Sequence, residues 1–178
     1  MSPKEDDNAK CIIVLAMHGS PPTDFPKREI AEFFELHLKM EHAPRLLGEE
    51  QTKRHDELDE RMRTWPRTQQ NDPFFVSSQE LATHLAEATG FRTIVGFNEF
   101  CNPSLDSALE EAALQKPEKI VVVTPMMTRG GQHSEVDIPA GVRRAQDRHP
   151  ELSIVYVWPY ELSEVAQFLA SRIKLFLE

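Results

Sequence analysis

Cysteine is almost missing from this 178-residue chain. Cys11 and Cys101 are the only two, too few and too far apart for a disulfide scaffold or a cysteine-rich zinc site. Long apolar runs are missing as well, and residues 1–10 are polar and charged. Neither a secretory signal nor a membrane anchor is therefore expected, and the expected compartment is the cytoplasm. Positive charge is in deficit: 20 Lys and Arg face 29 Asp and Glu, for a net charge of -9. That balance argues against nucleic acid as a partner, because phosphate binding needs a basic face. No Gly-Lys-Ser/Thr forms a P-loop, and Ser20 lacks the Gly-x-Ser-x-Gly elbow of a hydrolase. His18-Gly19 lacks the preceding arginine of a histidine phosphatase.

What is present is an alternation of short aliphatic runs and amphipathic stretches. A hydrophobic content of 40% and a charged content of 28% describe an ordinary globular chain, long enough for one domain. Residues 1–10 are expected to be a disordered tail and 11–178 a single α/β domain. The strands predicted are 11–17, 93–97, 119–124 and 153–157, apolar on both faces as parallel strands are. Between them the spacing predicts helices. The first follows a cap at Asp24, with Ile30, Phe33, Phe34 and Leu38 on its apolar stripe and His37 at the core edge. Further helices are expected from Ser77/Ser78 to Gly90, over 103–114 and over 139–148, and a last amphipathic one carries Leu162, Val165, Ala166, Leu169, Ile173 and Phe176. Strands alternating with helices imply right-handed βαβ units. The expected architecture is an open, flavodoxin-like parallel sheet of about four strands with helices on both faces.

Residues 43–75 break the pattern. From Glu49 to Arg63 almost every residue is polar, with Glu50–Arg54, Glu57–Arg61 and Asp59–Arg63 at helical i, i+4 spacing. This reads as a charged helical insertion, either a solvated addition or a lid, and its His42 and His55 have no partner at metal-ligand spacing.

The chemistry gathers just after the strands. In open α/β sheets ligands bind beyond the carboxyl ends of the strands. The first strand delivers His18, Gly19 and Ser20; the second Asn98, Glu99, Phe100 and Cys101. The third delivers Met126, Met127, Thr128, Arg129, Gly130, Gly131 and His133, and the fourth Trp158, Pro159 and Tyr160. Two imidazoles there suggest metal or proton chemistry, since imidazole is a borderline ligand for Fe, Co, Ni and Zn and titrates near neutrality. Glu99 is a proton acceptor, a metal ligand or the partner that fixes a histidine tautomer; capping the following helix would be its ordinary alternative. Asp137 reads as a cap of the helix after it, with Glu135 adding favourable charge. The mixture suits a flat, apolar, anionic ligand handled together with a divalent metal ion.

The pairing of an aliphatic strand ending in His18-Gly19-Ser20 with Gly131-x-His133-x-x-x-Asp137-Ile138-Pro139 resembles the class II tetrapyrrole chelatases. The nearest likeness is to the small, single-domain sirohydrochlorin cobaltochelatases of CbiX type. Phe97-x-Glu99-x-x-x-Pro103-Ser104-Leu105 resembles that family's middle motif, and the resemblance covers about residues 11–42 and 76–177. It implies a chelatase half-domain that inserts a divalent metal into a tetrapyrrole without ATP, in cobalamin or sirohaem biosynthesis. The metal is a substrate (Co2+, with Fe2+ and Ni2+ as alternatives), and no organic cofactor is implied. His18 and His133 match the family's metal-handling histidines and Glu99 the acidic residue beside them. Ser20, Arg129, Gly130 and Gly131 are the candidate tetrapyrrole contacts. Arg143, Arg144, Lys27 and Arg28 are further candidate anchors for carboxylates. A single half-domain is expected to pair as a homodimer. A carrier of metal or tetrapyrrole without turnover remains an alternative, as does a phosphate-binding module built on Gly130-Gly131.

Overall fold

The computed structural model describes residues 10–43, 45 and 47–177; the expected N-terminal tail lies outside them except for Lys10. Four strands form one parallel sheet: β1 (Cys11–Met17), β2 (Arg92–Phe97), β3 (Lys119–Val123) and β4 (Ser153–Tyr156). Their spatial order is β2-β1-β3-β4. Chain direction of travel across the sheet therefore reverses between β1 and β3, and a crevice opens beyond their carboxyl ends.

Alternation along β1 explains why both faces are covered. Ile12, Val14 and Ala16 point to one layer, built from α4 (Leu105–Leu114) and α5 (Ile138–Arg148). Leu15 and Met17 point to the other, built from α1 (Lys27–His42), α2 (Glu49–Arg63) and α3 (Pro73–Thr89). A period of two sends successive side chains to opposite faces, so a strand apolar at every position needs two helical layers. Gly96 lets α4 approach β2: a Cβ there would stand 2.8 Å from that of Ala108. The last helix, α6 (Leu162–Lys174), buries none of its residues.

Several local expectations are corrected. Asp24 does not cap α1, whose N-cap is Pro26; its carboxylate accepts instead from Trp65 Nε1 and Asn71 Nδ2. The buried face of α1 is Phe33 and Leu36, with Phe34 and Leu38 more than a third exposed. The turn toward Leu36 follows from α2, which packs beside α1 and pairs Arg54 with Glu32 and Arg61 with Glu29. Those partners replace two of the expected pairs within α2; Asp59–Arg63 forms as predicted. α3 begins at Pro73, four residues before Ser77, because Asp72 accepts a hydrogen bond from Phe75 N at 2.9 Å and proline suits the first helical turn. Nor is α2 merely solvated: Leu58 and Met62 are fully buried.

Candidate functional site

Backbone pairing continues past the ends of β1 and β2 and carries the first two site residues with it. Asn98 N donates to Met17 O, and Glu99 N to His18 O at 2.9 Å. Between them Gly19 adopts φ +102, and a Cβ there would lie 1.9 Å from the Glu99 carbonyl oxygen. Only glycine permits both that conformation and that approach, so the pairing of His18 with Glu99 is written into the backbone.

His133 reaches the same place from β3. A π-helical turn, His133–Asp137, precedes α5, and Ile138 N donates back to His133 O across five residues. Such widened turns concentrate at functional positions because they re-aim a side chain within an otherwise regular helix. The turn is braced by Ser134 Oγ donating to Gly131 O and by Tyr156 Oη donating to Ser134 O. Tyr160 Oη donates to Thr124 O at the end of β3. Burial raises the pKa of both phenols, which keeps them as neutral donors.

The three candidate residues come together. His18 Nε2 stands 3.2 Å from His133 Nε2, and Glu99 Oε2 lies 3.7 Å from His133 Nε2 and 3.9 Å from His18 Nδ1. One donor atom from each falls within 4.8 Å of the others, a spacing that can hold a metal ion. The two ring planes cross at 82° with centroids 4.3 Å apart. Both nitrogens are thereby displaced from the line joining the ring centres, which leaves room for one ion beside the two. Ligand nitrogens at about 2.1 Å from a tetrahedral ion sit roughly 3.4 Å apart, close to the spacing found here.

Asp137 differs from its expected role. It occupies the position before α5 but makes no side-chain cap. Its carboxylate accepts from His133 Nδ1 at 2.7 Å. That bond fixes the tautomer with Nε2 unprotonated and turned toward His18, the usual work of a carboxylate behind a metal-binding histidine. The i, i+4 spacing of His133 and Asp137 was the available signal.

A cavity of about 280 Å³ lies beside the three residues, lined by Phe33, His37, His55, Asp59, Arg63, Glu99 and His133 among others. His37 and His55 are thus corrected from bystanders to cavity walls. His37 Nδ1 meets His55 Nε2 at 3.2 Å, and His55 Nδ1 meets Asp56 Oδ1 at 3.2 Å. No sequence spacing could have paired residues 18 positions apart on different helices. Arg63 and Arg67 were likewise unforeseen. Arg63 donates to the carbonyls of Cys101 and Asn98. Arg67 pairs with Asp72, both nearly fully buried, and donates to the carbonyls of Ser20, Met62 and Phe100. These two arginines clamp the loops that carry His18 and Glu99.

The remaining candidates divide. Ser20 lies in the first loop with its carbonyl held by Arg67. Arg129, Gly130 and Gly131 are exposed on the loop after β3, and Gly130 N donates to Glu135 Oε1. Arg144 is engaged by Asp106 through two hydrogen bonds, which occupies the fork a carboxylate ligand would need. Cys101 is fully buried; desolvation raises its thiol pKa, so it is not a reactive group.

Comparison with known proteins identifies the family and the fold. The CbiX family model matches residues 76–174. A sirohydrochlorin cobaltochelatase of Methanopyrus kandleri is 39% identical over 62 residues, 34% of this chain and 43% of that protein. A sirohydrochlorin ferrochelatase of Priestia megaterium is 26% identical over 80 residues, 44% of this chain and 30% of that protein. The matched stretch thus spans less than half of either relative. A crystal structure of a putative cobalamin biosynthesis CbiX protein from Marinobacter aquaeolei superposes with a TM-score of 0.51 at 20% identity, over 94% of both chains. At that identity the likeness establishes the fold.

Proposed function

The chain belongs to the CbiX family, and from that premise we propose that it inserts a divalent metal, Co2+ or Fe2+, into sirohydrochlorin or a related tetrapyrrole without ATP. The observation that carries the reading is the convergence of His18 Nε2, His133 Nε2 and Glu99 Oε2 across the crevice between β1 and β3. Insertion replaces two pyrrole N–H protons by one M2+, so the site must offer the metal from one side and accept protons beside it. In the proposed roles, His18 and His133 hold the metal, Glu99 takes the protons, and Asp137 keeps the His133 lone pair on Nε2. Two imidazoles form a deliberately incomplete coordination set: a closed four-ligand site would retain the ion. Ser20, Arg129, Gly130 and Gly131 remain the proposed tetrapyrrole contacts. The N-capping Ser104 and the clamp from Arg63 and Arg67 hold the frame.

The proposed assembly is a homodimer. α6 exposes Leu162, Phe168, Leu169 and Ile173, each more than half accessible, and the edge strand β4 with the residue that follows it exposes Val155 and Val157. A 13-residue helix that buries nothing is marginal in water, and a second copy of the chain is the proposed cover. The segment 43–75 is read as an addition to the half-domain, and the family match begins just after it. The proposed setting is the cytoplasm, where both cysteines would stay as the free thiols they are here. Among the described residues no helix is long and apolar enough to cross a membrane.

Glu99→Gln tests the proposal. A chelatase keeps its affinity for Co2+ and tetrapyrrole in this variant but loses insertion rate by about 100-fold or more, read as the absorbance change under anaerobic conditions. Unchanged turnover would remove Glu99 from the chemistry. Binding without any turnover in the wild type would make the protein a carrier.

A further inference from the structure

Glu99 has two oxygens, and they face two different histidine pairs. Oε2 faces His18 and His133, whereas Oε1 lies 4.0 Å from His37 Nε2. The second pair is built differently from the first. The rings of His37 and His55 lie within 18° of parallel, with centroids 5.4 Å apart and nitrogens 3.2 Å apart. The difference between those two distances is about twice the radius of an imidazole ring, so both nitrogens lie on the line joining the centroids. The rings therefore meet edge to edge, each nitrogen aimed at the other. An N–H···N hydrogen bond fits that disposition; an ion shared between two lone pairs does not. Phe33 supplies a common floor, stacking within 21° of His37 and 22° of His55. At the outer end His55 Nδ1 meets Asp56, whose side chain is 68% exposed.

We propose that His37 and His55, with Asp56 at the outer end, form a proton conduit from Glu99 to solvent. The inference rests on the chelatase reading and extends it. In the resting tautomers His37 Nδ1–H donates to His55 Nε2, and His55 Nδ1–H donates to Asp56. A proton taken by Glu99 from the pyrrole passes to His37 Nε2 when the carboxylate swings to close the 4.0 Å between them. The Nδ1 proton of His37 moves to His55 Nε2, the Nδ1 proton of His55 moves to Asp56, and Asp56 releases it to water. One proton enters and one leaves, and rotation or reverse tautomerisation of the two rings resets the line. Every proton that M2+ displaces then has a way out that does not cross the metal-bearing imidazoles. The charged α2 acquires a purpose here, because it brings His55 and Asp56 to a site otherwise built by the sheet.

The test uses the full chain in weakly buffered solution, with Co2+ and sirohydrochlorin under anaerobic conditions. His55→Phe keeps the aromatic packing on Phe33 but breaks the line. It is expected to slow insertion about tenfold while leaving metal and tetrapyrrole affinities unchanged. Added 2,6-lutidine, a base too hindered to coordinate the metal, is expected to restore the rate and to leave the wild type unaffected. Asp56→Asn, at an exposed position, should slow insertion less and be rescued in the same way; it decides the matter if His55→Phe fails to fold. A variant rate equal to wild type, or a slowed rate that lutidine does not restore, would overturn the conduit while the chelatase reading stands. No acceleration by the wild type itself would overturn that reading, and the conduit with it.

Discussion

Two helices of this protein invert what their sequences suggest. α2 has only two aliphatic or sulfur-bearing apolar residues among fifteen, Leu58 and Met62, yet both are fully buried and His55 joins them on the same face. α6 is rich in leucine, isoleucine and phenylalanine, yet buries none of them. The difference shows that hydropathy measures how much a helix could bury and says little about where it goes. Three residues at i, i+3 and i+7 are enough to seat α2 against α1 and the sheet, and its charges then find partners across the helix boundary. Among the described residues, nothing packs closely enough on α6 to bury its stripe. The first helix lines the cavity beside the candidate site, and the second presents the apolar face proposed to pair with a second copy.

That contrast can be broken by substitution. The largest effect is expected from Arg67→Met, which leaves Asp72 as an uncompensated buried charge and frees three carbonyls, those of Ser20 and Phe100 in the site loops and that of Met62 at the end of α2. About 3–5 kcal/mol of stability should be lost in urea denaturation, together with insertion activity. A loss below about 1 kcal/mol would show that the clamp does not hold the loops. Leu58→Ala follows, at about 2–5 kcal/mol, in spite of its highly charged surroundings; a neutral result would return α2 to the status of a solvated addition.

Leu169→Glu on α6 sharpens the other side. Folding of the single chain should hardly change, since the side chain is half exposed already. Dimer dissociation measured by sedimentation should rise by about tenfold or more, roughly 1.4 kcal/mol. A wild-type protein that sediments as a monomer at all concentrations would mean that α6 is covered by something else.

The smallest effect concerns the surface pairs that fasten α2 to α1. The Arg54 guanidinium, hydrogen-bonded to Glu32, holds that carboxyl below the usual carboxylate range. Its contribution is therefore complete above the ordinary pKa of an unfolded glutamate and is lost as pH falls through the lower folded value. Arg54→Met should accordingly narrow the gap between stability at neutral pH and at about pH 3. An unchanged gap would show that the pair contributes nothing.

Much of this was readable from the chain before folding. The four apolar runs gave the strands to within a residue or so, and placing His18, Glu99 and His133 just after three of them was enough to anticipate that they share an edge. What stayed hidden was contact at long range. Nothing around residue 55 hints at His37, and nothing around Arg67 hints at the carbonyls of Ser20 and Phe100. Local chemistry misled in a few places where a better partner existed. Asp24 and Asp137 both look like caps, but one is taken by Trp65 and Asn71 and the other by His133. The start of α3 is legible in Asp72-Pro73, a cap followed by proline, but the polar stretch before it blurs that boundary.

The most direct measurement is the anaerobic absorbance of sirohydrochlorin mixed with Co2+ and the purified protein, beside a His133→Ala variant. Conversion well above the spontaneous rate, lost in the variant while its fold is retained, is the result expected if two imidazoles and a carboxylate form the insertion site. Conversion no faster than without protein, or equally fast in His133→Ala, would contradict it.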